Sequence, residues 1–472
     1  MKLYLFDMRN LFFLFLAFAP FIVFGQEYNI ETTVHNSDDT VAYLGHHFAT
    51  QRYLDDTAKV VNGKAVFEGK KTLTPGIYFY YTPKNYFEFL VEDQNFKLEA
   101  TAPDFVGTMK IKNSTENDGF YKLQRFTAEM KSKSKSIKDR YDSTTNEEEK
   151  AKLKEQLVEM NNQVEEFQVK IKSEYPGTLL ARIITLMQSP KVPEVPEGNE
   201  NPELFKYQYY KDHFWDGIDI TDPGLIRTPL LDAKLNDYLD NVVLQLSDSV
   251  IKEVDIILTK AKKSKEAFRY LLITLVNKYE ASHVMDFDRV FVHIVENYYL
   301  TGMADDWASK ETLDKLKNRI NMMKPNFIGN PAPELVLWDT LGTEINLRDI
   351  NAKYTVLYFY DPDCGHCQKK TPILYESYPE LVAKGVEIVG VCTGTDEKKW
   401  KDFIKNDDLG WINVADLGSK TYFKYYYDVR TTPTVYILDK DKKILVKKID
   451  ALDIPQVIDQ IIEQDKLKIK NP

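Results

Sequence analysis

A chain of 472 residues, 43% hydrophobic and 28% charged, is long enough for about three globular domains and ordinary in composition for a soluble protein. Its net charge of −10 excludes nucleic acid or an anionic membrane surface as the main partner, because both select clustered Lys and Arg. Three cysteines in so long a chain exclude a disulfide-stapled scaffold and leave cysteine a chemical role.

The N-terminus reads as an export signal. Met1-Lys2 and Arg9 give a weakly positive start, Leu11–Phe24 an apolar run, and Val23-Phe24-Gly25 residues permitted at the −3 and −1 positions of a cleavage site. The run falls short of the about 20 apolar residues that span a bilayer, so a cleaved signal peptide over 1–25 is expected and a retained anchor is the alternative. No Cys follows the run to carry a lipid. The expected location is the periplasm or cell envelope.

Residues 26–112 predict an all-β, sandwich-like domain. Ala65-Val66-Phe67, Ile77–Tyr81, Tyr86–Val91 and Phe96–Ala100 are short aromatic and β-branched runs, punctuated by turn residues such as Thr74-Pro75-Gly76. His46-His47 would face opposite sides of a strand and are not expected to share a metal.

From 113 to 325 the period lengthens and predicts an all-α region. Leu153, Leu157, Met160, Val164 and Phe167 recur at three- and four-residue steps, which makes one apolar stripe along a helix. A break at Asp142–Asn146 predicts an antiparallel helix pair. Pro190–Pro196 reads as an extended link. Further helices are expected over 232–246, 249–261, 264–280, 286–299 and 310–322. His213, His283 and His293 fall on separate elements and read as packed or surface residues.

From 326 to 472 strands alternate with helices, the mark of an α/β layer. Tyr354–Tyr360 and Val386–Val391 are continuous β-type runs, as in strands buried on both faces. Helices are expected over 365–383, 397–405 and 454–464, and strands over 434–439 and 444–449.

The chemistry lies in Cys364-Gly365-His366-Cys367. Two thiols three positions apart at a helix start can close a small disulfide loop. Cys364 would sit just before the free N–H groups of the helix, which stabilise a thiolate below the free value of about 8.5. Cys367, one turn in and shielded, would attack the mixed disulfide and release product. A zinc site would need a second pair of ligands, and only Cys392 and scattered histidines remain, so no metal is expected. Cys392, at the end of a buried strand, reads as an inert thiol.

Residues 326–472 resemble the TlpA/ResA type of thioredoxin-like (redoxin) thiol–disulfide oxidoreductases of the bacterial cell envelope. The likeness rests on Gly329–Leu335 with Asp339 and Gly342, on Tyr358–Cys367, on Pro372 where such helices kink, and on Thr432-Pro433-Thr434, the loop whose proline is cis in that fold. It implies a C-terminal thioredoxin fold with Cys364 and Cys367 catalytic, Gly365 and His366 tuning activity, and Thr432 and Pro433 holding substrate. It implies no cofactor beyond the Cys364–Cys367 disulfide, protein or peptide thiols and disulfides as partners, and a membrane electron donor. The upstream segments, including Phe214-Trp215-Asp216, Asp222-Pro223 and Val292-His293 with Tyr298, are similar to little-understood modules that precede such domains in Gram-negative envelope proteins.

Two positions depart from thioredoxin. Its buried acid, six residues before the first cysteine, is Tyr358 here, and its Gly-Pro pair is Gly365-His366, as in protein disulfide isomerase. A histidine there favours the thiolate and so a more oxidising disulfide, toward about −180 mV and away from about −270 mV. The expected activity is an exported oxidoreductase that reduces or isomerises disulfides of envelope proteins. The alternative is a ligand- or partner-binding envelope protein with an accessory redoxin domain. A peroxidase is disfavoured because Tyr-Asp-Pro-Asp precedes Cys364, without the Pro-X-X-X-Thr-X-X-Cys setting.

Overall fold

The computed structural model describes residues 27–470, and the expected signal over 1–25 lies outside them. The described chain forms two compact units. One holds the residues up to Glu194 together with His213–Lys234; the other holds Val195–Asp212 together with the residues from Leu235 on.

The first unit opens with β1 (Tyr28–His35), β2 (Val41–Phe48), β3 (Gln51–Lys59), β4 (Lys64–Gly69), β5 (Gly76–Tyr81), β6 (Tyr86–Val91) and β7 (Asn95–Thr101). A single turn, α1 (Phe105–Thr108), leads to β8 (Lys110–Lys112). The strands make two four-stranded sheets, β4-β1-β7-β8 and β3-β2-β5-β6. Along β1 the alternate residues Tyr28, Ile30, Thr32 and Val34 are buried, so one face of the strand turns inward. Rings bridge the sheets edge-on: Phe67 meets Tyr80 at 6.4 Å and Phe89 meets Phe96 at 5.8 Å between centroids. This is the sandwich-like domain that the aromatic runs predict. β1 pairs in parallel with β7, a contact between chain-distant strands that local patterns do not reveal.

α2 (Thr115–Ser143) and α3 (Glu147–Glu174) form the expected antiparallel pair, with Phe126 stacked on Phe167 at 4.1 Å. Ser114 and Asn146 cap them by accepting first-turn N–H groups. The Asn117 side chain accepts from Leu90 N–H and donates to Leu90 C=O, both at 2.8 Å, which fixes α2 to β6. α4 (Leu179–Met187) follows. α5 (Pro202–Asp212), α6 (Pro223–Ile226) and α7 (Pro229–Asp237) each open on proline, whose missing N–H is not needed in a first turn.

In the second unit α8 (Ser247–Ala261), α9 (Lys265–Glu280), α10 (Asp288–Ile294) and α11 (Lys310–Met323) precede a mixed sheet. Its elements are β9 (Val336–Trp338), β10 (Glu344–Asn346), β11 (Tyr354–Tyr360), α12 (Gly365–Glu376), α13 (Tyr378–Ala383), β12 (Val386–Cys392), α14 (Glu397–Asn406), β13 (Ile412–Ala415), α15 (Phe423–Tyr426), β14 (Thr434–Leu438), β15 (Ile444–Lys447) and α16 (Ile454–Lys470). The strand order is β10-β9-β13-β12-β11-β14-β15, with β11 parallel to β12 and antiparallel to β14. Every residue of β11 is buried. Tyr354, Val356, Tyr358 and Tyr360 pack with Cys367, Leu374 and Trp400 on one face, while Leu357 and Phe359 pack with Tyr427 and Tyr436 on the other. The helix expected over 365–383 is two helices, parted at Ser377. Pro379 cannot continue the first and sits instead in the opening turn of the second.

Candidate active site

β11 is buried on both faces and ends where Asp361-Pro362-Asp363 turns outward, so the next residue, Cys364, emerges beyond the C-terminal end of this interior strand as the N-cap of α12. The turn is pinned by Cys364 N–H donating to Asp361 C=O at 3.0 Å, Asp363 N–H to Asp361 Oδ1 at 2.9 Å, and the Gln368 side chain to Pro362 C=O at 2.8 Å. Cys364 is half-buried and Cys367 fully buried, and both are free thiols.

The Thr432–Pro433 bond is cis, and the Thr432 carbonyl accepts from Cys364 Sγ at 3.2 Å. The loop expected to hold substrate therefore lies against the first sulfur. Burial pushes the Cys364 thiol up, but hydrogen bonds from the Thr432 side chain and from the backbone of Cys367 and His366 outweigh it and hold the thiol below its usual range. Burial dominates at Cys367, and the neighbouring Cys364 adds to it, so that thiol is pushed up to about 12. The surroundings thus ease ionisation of the first sulfur and oppose it at the second.

His366 is exposed on α12. Lys370, on the same helix, pairs with Asp450 at 2.5 Å. The Tyr358 hydroxyl bonds Thr371 Oγ1 at 2.8 Å, both residues wholly buried. Sequence reasoning did not find Thr371. The signal was present, because Thr371 stands four residues after Cys367 on the same helix face. Cys392 lies in the same core as Cys367, and burial first, then the nearby Asp361, pushes its thiol up to about 12. Two grooves, of about 230 and 540 Å³, share Tyr422 and Phe423 as walls; the smaller includes Thr393 and Thr395, directly after β12.

A reactive thiol, a shielded one a turn away, and a backbone carbonyl against the first are the parts of a disulfide-exchange site. The class is that of thioredoxin-like thiol–disulfide oxidoreductases. Residues 328–447 match the AhpC/TSA family, while residues 28–120 and 127–326 match two domains of unknown function. The C-terminal segment is 36% identical over 120 residues to the thiol-disulfide oxidoreductase ResA of a Bacillus cereus strain, covering 25% of this chain and 68% of that protein. The ResA of Bacillus subtilis (strain 168) is 31% identical over 117 residues, 25% of this chain and 64% of the relative. A solved domain of a possible thiol-disulfide isomerase from Cytophaga hutchinsonii ATCC 33406 is 38% identical, covers 30% of this chain and 97% of that one, and superposes with a TM-score of 0.29. The chain belongs to the ResA family of thiol–disulfide oxidoreductases.

Proposed function

We propose that this oxidoreductase is exported, with residues 1–25 as its signal peptide, and reduces or isomerises disulfides of envelope proteins through Cys364 and Cys367. The Cys364 thiolate attacks a substrate disulfide, forms a mixed disulfide and expels one substrate thiolate, which takes up a proton. Cys367 then loses its proton and attacks Cys364 Sγ. The Cys364–Cys367 disulfide forms and the second substrate thiol leaves. Two electrons and two protons from a membrane donor restore the dithiol; in isomerisation the substrate's own thiolate displaces Cys364 instead.

The observation that carries the reading is the opposed behaviour of the two sulfurs: Cys364 is half-exposed and held low, Cys367 is buried and pushed up to about 12. A Cys367→Ala variant should hold substrates as mixed disulfides on Cys364, and Cys364→Ser should abolish insulin reduction. Insulin reduction that survives in Cys364→Ser would overturn the proposal.

A further inference from the structure

Thr432 meets Cys364, so whatever fixes the 429–433 loop also sets the surroundings of that sulfur. Downstream the loop is tied within its own fold, by Thr434 Oγ1 donating to Thr431 C=O at 2.6 Å. Upstream it is tied elsewhere. Asp428, four residues before Thr432, has φ +48 and a side chain only 1% exposed. Its two carboxylate oxygens are gripped separately, Oδ1 by Arg319 of α11 and Oδ2 by Lys448 Nζ at 2.6 Å.

Arg319 is 13% exposed, and its Nε lies 3.6 Å from Glu280 Oε1 at the end of α9. The same Glu280 oxygen lies 3.8 Å from Arg430, two residues before Thr432. Asn326, just past α11, donates to Tyr426 C=O at 2.6 Å. A run of residues from 426 to 430, leading straight into the cis-proline loop, is thus held by α9, α11 and Asn326.

We infer that α9 and α11 belong to the redox site, with Arg319 a positioning residue that acts through Asp428 to hold the Thr432 loop against Cys364. This rests on Cys364 being the nucleophile. It gives a role to part of the segment 127–326, which matches a domain of unknown function. A buried carboxylate that loses one of its cations is destabilised there, so the two cations on Asp428 favour its buried position. Without Arg319, Lys448 alone remains, and the loop gains freedom toward the sulfur it contacts.

The test uses the full chain in the variants Arg319→Gln, Arg319→Lys and Glu280→Gln, with Cys364→Ser as reference. The readouts are the pH profile of Cys364 alkylation by iodoacetamide and the equilibrium constant with glutathione. In Arg319→Gln, alkylation at pH 6 should fall about threefold, and the difference from the wild type should narrow as pH rises past the ordinary thiol range. Arg319→Lys should restore most of the loss, which a merely structural role would not require. A folded Arg319→Gln whose profile and glutathione constant match the wild type overturns the inference. If Arg319→Gln does not fold, Glu280→Gln decides: a shifted profile supports the inference and an unchanged one overturns it. Insulin reduction that persists in Cys364→Ser sinks the proposed function instead, so the two failures are told apart.

Discussion

The Tyr358 hydroxyl lies 2.8 Å from Thr371 Oγ1, in the place where thioredoxin carries a carboxylate. Burial holds the Tyr358 phenol well above its usual range, so the pair is neutral and cannot take a proton from Cys367 near pH 7. With the Cys367 thiol pushed up to about 12, ring closure gains no base from this pair and depends on deprotonation of Cys367. Decay of a pre-formed mixed disulfide on Cys364 should therefore rise about tenfold per pH unit between pH 7 and 9. Stopped-flow measurement of that decay checks this, and a plateau near pH 7 would reveal a base that the neutral pair does not supply.

The three thiols should differ in reactivity with iodoacetamide at neutral pH. Cys364 is half-exposed and held low, while Cys367 and Cys392 are buried and pushed up to about 12. Mass spectrometry of the reduced, folded protein should find one adduct, on Cys364, and all three only after denaturation. A native adduct on Cys392 would contradict its burial.

The redox pair was legible in the sequence because its chemistry is local: Cys364 and Cys367 are one turn apart, and the strand before them is one apolar run. Thr432 and Pro433 were found by family motif alone, since nothing within residues 364–367 says which distant loop will cover the sulfur. Long-range partners were not legible. Arg319 and Asp428 are 109 residues apart, and each looks like an ordinary surface charge in its own segment. The helix expected over 286–299 becomes a π turn from Val295 to Tyr299, and a search at period 3.6 cannot register that change.

Glu116 makes the first unit sensitive to pH. Burial is the main cause that pushes its carboxyl up to about 7, with Glu92 and Asp93 adding to it, although Leu180 N–H donates to it at 2.7 Å. The folded state then holds a proton that the unfolded chain releases near 4.5. Its contribution is full below that value and is lost as pH rises through about 7, a change of about 3 kcal/mol. Glu116→Gln keeps the acceptor for Leu180 and should remove this slope, stabilising the unit at pH 8. Denaturant unfolding at pH 4.5 and 8 would show it, and identical slopes in both proteins would rule it out.

Lys447 on β15 is 5% exposed and pairs with Asp288 of α10, while also donating to Asn326 C=O at 2.5 Å. Burial pulls the Lys447 ammonium below its usual range. Removing one partner strands the other charge, so Asp288→Asn should destabilise the second unit by about 3–5 kcal/mol. Asp288→Asn combined with Lys447→Met should cost clearly less than the single change. Thermal unfolding of both single variants and the double gives the comparison; a double whose cost equals the sum of the two single costs would mean that the pair carries no coupling.

His366 poses a question of magnitude. A potential like that of protein disulfide isomerase needs about 4 kcal/mol of thiolate stabilisation beyond thioredoxin's. His366 is exposed on α12, and an exposed charge contributes about 0–1 kcal/mol. At about 30 mV for each 1.4 kcal/mol, that allows roughly 20 mV. His366→Ala should therefore lower the potential by no more than about 20 mV, whereas changes that disturb the Thr432 contact should do more. Equilibration with glutathione buffers measures both. A drop near 90 mV in His366→Ala alone would show that the imidazole, not the loop and the helix N-terminus, sets the reactivity of Cys364.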